Sequence, residues 1–161
     1  IYGLDHAIWV PNQRCGIIAQ DKEAAENIFR DKVKFAYEHL PESLRLAMPL
    51  APNVNHTGTM FGGSLYCGAV LVGWGWLHLR LREAGIDDGH IVIQEGQISY
   101  PLPVTGAAIA VCEAPEEKVW QRFVSTYQRY GRARLSLHTR IFNEDKETPA
   151  VEFDGQYVLH R

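Results

Sequence analysis

The sequence is short of several things that would each point to a function. Cysteine is scarce: only Cys15, Cys67 and Cys112 occur among 161 residues, too far apart for a Cys-x-x-Cys pair. An odd number of free thiols fits a reducing, cytoplasmic compartment better than a disulfide framework. Excess charge is missing too. A net charge of −3 gives no reason to expect nucleic acid or an anionic membrane surface as partner. The seven histidines are scattered without a His-x-x-x-His pair, so no metal site is expected. No glycine-rich phosphate loop follows a strand, and there is no signal peptide, low-complexity tract or internal repeat. The chain opens on Ile1 rather than Met, which leaves open that it is a piece of a longer protein. What remains is an ordinary globular composition, 46% hydrophobic and 22% charged, at a length that suggests one domain.

The most informative absence is local. From Phe61 to Leu79 no residue is formally charged, and the helical reading continues to Glu83. A helix with no wide polar face cannot lie on a protein surface, so it must be wrapped by other structure or by lipid. The 19 uncharged residues approach the roughly 20 that span a bilayer. Against a span, Gly62, Gly63, Gly68, Gly73 and Gly75 crowd the run, and Ser64, Tyr66 and His78 interrupt it. A helix held in one concave sheet accounts for the apolar run and for the strands around it. Gly68, Gly73 and Gly75 then allow the sheet to lie close. Gly62 and Gly63 fall at the helix start, where backbone N–H groups lack intrahelical partners, with Thr59 as the expected N-cap. Such an end can hold a carbonyl oxygen that gathers negative charge, although tight packing alone also explains the glycines.

Taken in order, residues 8–10 and 17–19 read as short extended pieces around a Pro11-Asn12 turn, and Lys22 to His39 as a helix closed by Pro41. Leu44 to Leu50 reads as a strand. After the central helix, Gly85 is the expected C-cap region. His90 to Tyr100 follows as a strand, with Ile91, Ile93, Glu95, Gln97 and Ser99 on one face. Ala107 to Glu113 is the next strand. Pro115 opens an amphipathic helix with Val119, Trp120, Phe123, Val124 and Tyr127 as its apolar stripe, closed by Gly131. Arg132 to Asn143 and Ala150 to His160 both alternate as half-solvated antiparallel strands. The expected class is α+β: a curved antiparallel sheet around one long central helix, with additional amphipathic helices.

The stretch Asn55-His56-Thr57-Gly58-Thr59-Met60-Phe61-Gly62-Gly63-Ser64-Leu65-Tyr66, with Gly73-Trp74 after it, resembles the hotdog-fold superfamily. Within it, the stretch resembles the thioesterase family typified by the C-terminal domain of YiiD. Gly131-Arg132-Ala133-Arg134-Leu135 and Phe153-Asp154-Gly155-Gln156-Tyr157-Val158 are also similar to that family. The resemblance implies a single hotdog domain, with residues 1–43 an N-terminal extension and helix and 44–161 the hotdog core. It implies a homodimer with sites at the subunit interface, and acyl groups carried on coenzyme A or acyl carrier protein. By position, Asn55 matches the loop asparagine of many such thioesterases, and Gly62 and Gly63 the glycines whose amides polarise the thioester carbonyl. Two departures stand out. The central helix lacks the carboxylate common in hotdog thioesterases, and Phe61 replaces a histidine that often precedes the paired glycines.

Each candidate has a bland reading beside the chemical one. Asn55 can bind substrate or position a water, or simply shape the loop. Thr59 and Ser64 can touch substrate, and capping explains Thr59 as well. His56 can act as a base near neutral pH or be an exposed bystander. Glu95 can reach across a dimer interface as the missing general base, or be a solvent-side residue paired with a cation. Cys67 reads as packing. Arg129, Arg132 and Arg134 can bind the phosphates of coenzyme A or the acidic surface of a carrier protein, or be solvated surface. The expected function is hydrolysis of a small acyl thioester, with no cofactor besides the carrier on the substrate. Decarboxylation of a malonyl thioester at the same place is the alternative, since it needs no strong base. A non-catalytic hotdog domain that binds an acyl carrier is the third.

Overall fold

The computed structural model describes residues 43–144 and 146–161. The extended pieces and the helix expected between residues 8 and 39, and Cys15, lie outside the described residues. Five strands and two α-helices follow in the order β1 (Ser43–Met48), α1 (Gly62–Glu83), β2 (His90–Ser99), β3 (Ala108–Glu113), α2 (Glu117–Tyr130), β4 (Arg132–Asn143) and β5 (Pro149–His160). The sheet order is β1-β3-β4-β5-β2 and every pairing is antiparallel. No helix among the described residues is long and apolar enough to cross a membrane.

The alternation of β4 and β5 does what its pattern requires. Ala133, Leu135, Leu137, Thr139 and Ile141 of β4, and Val151, Phe153, Tyr157 and Leu159 of β5, are buried on the face toward α1. α1 lays Leu65, Ala69, Val72, Trp76, Leu77 and Leu81 onto that face. Each such fully buried large side chain contributes roughly 1.5–3 kcal/mol. The helix lies close because glycine lets it. A Cβ at Gly68 would meet the Met48 thioether of β1, and one at Gly73 the Tyr157 ring and hydroxyl of β5.

The wrap is one-sided. Tyr66, Cys67, Leu71, Trp74 and His78 are exposed, with Leu71 49% and Trp74 37% accessible. Cys67, expected to be packed, therefore faces out, whereas Cys112 on β3 is fully buried. Burial pushes the Cys112 thiol up to about 12.

α2 closes one end of this core through Trp120, Phe123 and Tyr127, and Trp120 meets Trp76 of α1 edge-on at 5.8 Å between ring centroids. Val119, expected in the apolar stripe, is 45% exposed instead. Gly131 ends the helix in the left-handed conformation, φ +67°, and its amide donates to the Tyr127 carbonyl. Gly85, at φ +69°, sits one residue past the Ala84 cap of α1.

β2 departs from its expected parity. Ile93 stands opposite Tyr157 and Glu95 opposite Gln156, so a bulge at Gln94 shifts the register. Ile91, Ile93 and Ile98 consequently face α1, while Glu95, Gln97 and Ser99 fall on the outer face of the sheet. A bulge puts two residues against one, and every later side chain changes side relative to a regular strand.

Candidate functional site

The segment from Asn53 to Ser64 builds a rigid approach to a helix end that carries no cap. Val54 bridges Met60 across a tight turn in which the Asn55 amide donates to the Thr59 carbonyl at 2.7 Å. Gly58, at φ +80°, supplies the left-handed residue the turn needs. The Asn55 carboxamide is the hub. Its Oδ1 accepts from the Thr57 amide at 2.9 Å, the Thr57 hydroxyl at 2.7 Å and the Thr59 amide at 3.2 Å. Its Nδ2 donates to Thr59 Oγ1 at 2.8 Å. Two further bonds fix the exit: Met60 N–H to the Val104 carbonyl at 2.8 Å, and Phe61 N–H to the Asn53 carbonyl at 2.7 Å.

Phe61, not Thr59, is the N-cap of α1, and no side chain caps the helix. Thr59 lies two residues too early and is engaged by Asn55 instead. The amides of Gly62, Gly63 and Ser64 consequently have no hydrogen-bond acceptor among the described residues. Three N–H groups point out of one helix end with the positive end of its dipole behind them. The Phe61 ring lies against Gly63, where a side chain would run into it. Ser64 is half-buried in the first turn and His56 is exposed on the turn. Tyr100, just past the end of β2, donates its hydroxyl hydrogen to the Gly62 carbonyl at 3.1 Å. Nothing in the strand pattern marked Tyr100 for this place, beyond its position before a proline.

Asn55 and Thr59 are thus joined by hydrogen bonds, and His56, Gly62, Gly63 and Ser64 lie on the same segment. Glu95 is not among them, because the bulge turns it to the outer face of β2. The arginines do not join the group within one chain either. Arg132 pairs in register with His160, and His160 with His90, at the start of β2, whereas Tyr100 follows its end. At about 3.3 Å per residue the two ends are roughly 30 Å apart. Arg134 Nε donates to Gln94 Oε1 at 3.0 Å across the outer face, and Arg129 lies over the Tyr130 ring. A groove of about 390 Å³ between α2 and the first half of β4, with Arg122, Phe123 and Thr126 on one side, also lies at the arginine end. His78 is 4.9 Å from Trp74, ring stacked on ring, and burial and then Arg82 hold its imidazole below the usual value.

A curled antiparallel sheet around a long helix, with a glycine-bearing and uncapped helix start, defines a hotdog protein of the thioesterase type. A family model described as "Putative thioesterase (yiiD_Cterm)" matches residues 32–161, and the chain belongs to that family. Among solved structures, a protein of unknown function from Chlorobaculum tepidum is 34% identical, with a TM-score of 0.71 over 84% of this chain and 91% of that one. A protein from Shewanella oneidensis described as a "putative thioesterase" is 29% identical, with a TM-score of 0.66 over 84% of this chain and 94% of that one. A Pseudomonas aeruginosa protein at 22% identity and TM-score 0.61 covers 90% of this chain and 99% of its own, and shares the fold.

Proposed function

We propose that the protein hydrolyses a small acyl thioester carried on coenzyme A or an acyl carrier protein. The observation that carries this reading is the uncapped start of α1, where the Gly62, Gly63 and Ser64 amides have no acceptor among the described residues. The thioester carbonyl oxygen takes that place. Negative charge grows there as water adds to the carbonyl carbon, and fixed N–H donors stabilise it without reorganising. The carbon–sulfur bond then breaks, the sulfur takes a proton, and acid and free carrier thiol leave. Asn55 acts through the turn it holds together.

A homodimer belongs to this reading. The exposed apolar face of α1, with Tyr66, Leu71 and Trp74, and the outer edge of β2 are the surfaces a second copy would cover. Two β2 edges paired antiparallel would set the Arg132 and Arg134 end of one sheet beside the Tyr100 end of the other. That is where the phosphates of coenzyme A, or an acidic carrier surface, would be met.

One feature favours a second reading, decarboxylation of a malonyl thioester. Within α1 the first carboxylate is Glu83, in the last turn, and Glu95 faces the outer side of the sheet, so within one chain neither stands near the helix start. In this reaction the carboxylate carbon–carbon bond breaks and carbon dioxide leaves. The electron pair enters an enolate held by the same amides, and protonation at carbon gives the acetyl thioester.

The test is incubation with acetyl and malonyl thioesters on both carriers, read by mass spectrometry. Free carrier thiol supports hydrolysis. Acetyl-carrier formed from malonyl-carrier supports decarboxylation. Stoichiometric binding without turnover would leave a carrier-binding domain.

A further inference from the structure

We infer that Tyr100 is a positioning residue for the reaction at the start of α1: its hydroxyl holds the peptide unit that carries the Gly63 N–H. The inference rests on the reading that the amides of that helix end receive the substrate carbonyl oxygen. The chain of contacts is short. Tyr100 O–H donates to the Gly62 carbonyl oxygen at 3.1 Å. That carbonyl and the Gly63 N–H belong to one planar unit, so whatever fixes the oxygen fixes the direction of the hydrogen. A donor on the carbonyl also draws electron density from the nitrogen side and makes the N–H a better donor in turn.

The helix start needs such a tie. No side chain caps it, and its first two residues are glycines, which give up the most backbone freedom on ordering. Tyr100 is well placed to supply the tie because its own backbone is constrained. It follows the last residue of β2, and Pro101 after it confines it to extended conformations. The ring is in contact range of Gly62, where a Cβ would stand 3.7 Å from it, so the pair is close without crowding. Tyr100 is about half exposed, and a phenol that ordinarily ionises at about 10 is a donor throughout the neutral range; partial desolvation and then the neighbouring Tyr66 raise it further.

The experiment compares Tyr100→Phe and Tyr100→Ala with the wild type, using glycine-selective 15N labelling and steady-state kinetics on the thioester turned over by the wild type. We expect the Gly63 cross-peak to move in both variants by more than those of Gly68, Gly73 and Gly75. We expect kcat to fall roughly tenfold in both, with KM within about twofold, since only a donor to the developing oxyanion is weakened. A Gly63 cross-peak that stays put in Tyr100→Phe overturns the inference. So does Tyr100→Phe with wild-type kcat beside a crippled Tyr100→Ala, because the ring and not the hydroxyl would then be at work. If the wild type turns over no thioester, the functional reading fails on its own, and with it the role of Tyr100 in that reaction. The Gly63 cross-peak then still reports whether the hydroxyl holds that peptide.

Discussion

Tyr157 of β5 reaches into α1 and donates its hydroxyl hydrogen to the Val70 carbonyl at 2.9 Å, directly over the place where Gly73 has no side chain. The carbonyl already belongs to the helix, so the bond ties the middle of the sheet to the middle of the helix. Burial raises the Tyr157 hydroxyl, which therefore stays protonated and donating.

Gly73→Ala should consequently destabilise the protein by about 1–3 kcal/mol, the usual penalty for forcing volume into a packed core. The added Cβ would meet both the hydroxyl and the ring of Tyr157, neither of which can retreat from a buried site. Urea denaturation of Gly73→Ala, Tyr157→Phe and the double variant measures this. Loss of the hydroxyl should relieve part of the alanine penalty, so the two changes should not be additive. Additive losses would mean that the two side chains do not compete for the same space.

Asn55 yields a prediction about chemistry disguised as one about stability. Its carboxamide makes four hydrogen bonds, all inside the turn from Asn55 to Thr59. Asn55→Ala should cost about 1–3 kcal/mol and lower turnover by disordering the approach to α1. Asn55→Asp keeps the acceptor toward both threonines, and the Thr59 hydroxyl can turn to donate to it. At neutral pH it should retain most of the stability. In thermal melts and turnover assays the two losses should therefore track each other, both large in Asn55→Ala and both small in Asn55→Asp. An Asn55→Ala protein of full activity would remove the turn from the proposed site.

Much of this was legible in the sequence, for physical reasons that differ by element. β4 and β5 declared themselves because one face is buried against α1 and the other is not, so burial wrote itself as alternation. The boundaries of α1 were readable from its glycines and its lack of charge. Its cap was not. Thr59 has the side chain of an N-cap, but the start is set by bonds from Met60 to Val104 and from Phe61 to Asn53, one of them to a residue 44 positions away. The side of Glu95 was hidden for a similar reason. A bulge leaves no mark in composition, and the alternation after it reads equally well one residue out of step. Tyr100 was invisible as a partner of Gly62 until the end of β2 and the start of α1 were seen together.

Acid should act on the C-terminal corner. Asp88 accepts from the Tyr127 hydroxyl at 2.9 Å and from Arg161 Nε at 2.8 Å, joining the turn after α1 to α2 and to the end of the chain. The Tyr127 hydrogen bond is the largest influence on the Asp88 carboxyl; desolvation opposes it, and the bond and charge of Arg161 add to it, so the carboxyl is held below its ordinary value. A carboxyl lowered on folding stabilises the native state above its unfolded value of about 4, and that contribution is lost as pH falls through the lower folded value. Asp88→Asn should therefore lower the urea midpoint at pH 7 and flatten its fall as the pH drops below about 4. A variant with an unchanged acid limb would assign that limb to other carboxylates.

Cysteine reactivity separates the two faces of the molecule. Cys112 is fully buried with its thiol pushed up to about 12, so it should resist alkylation in the native state and react only on unfolding. Cys67 stands on the exposed stripe of α1 with Leu71 and Trp74, four residues from Leu71 along the helix. If a second copy covers that stripe, Cys67 should label slowly at concentrations where light scattering reports a dimer. Leu71→Arg, which puts a charge into the apolar contact, should then give a monomer and speed Cys67 labelling at least tenfold, with Cys112 still protected. If the site proposed above is completed by a second copy, turnover should fall with the dimer, because within one chain the arginine end lies roughly 30 Å from the helix start. Cys67 labelling as fast in the wild-type dimer as in Leu71→Arg would put the contact between copies on another surface.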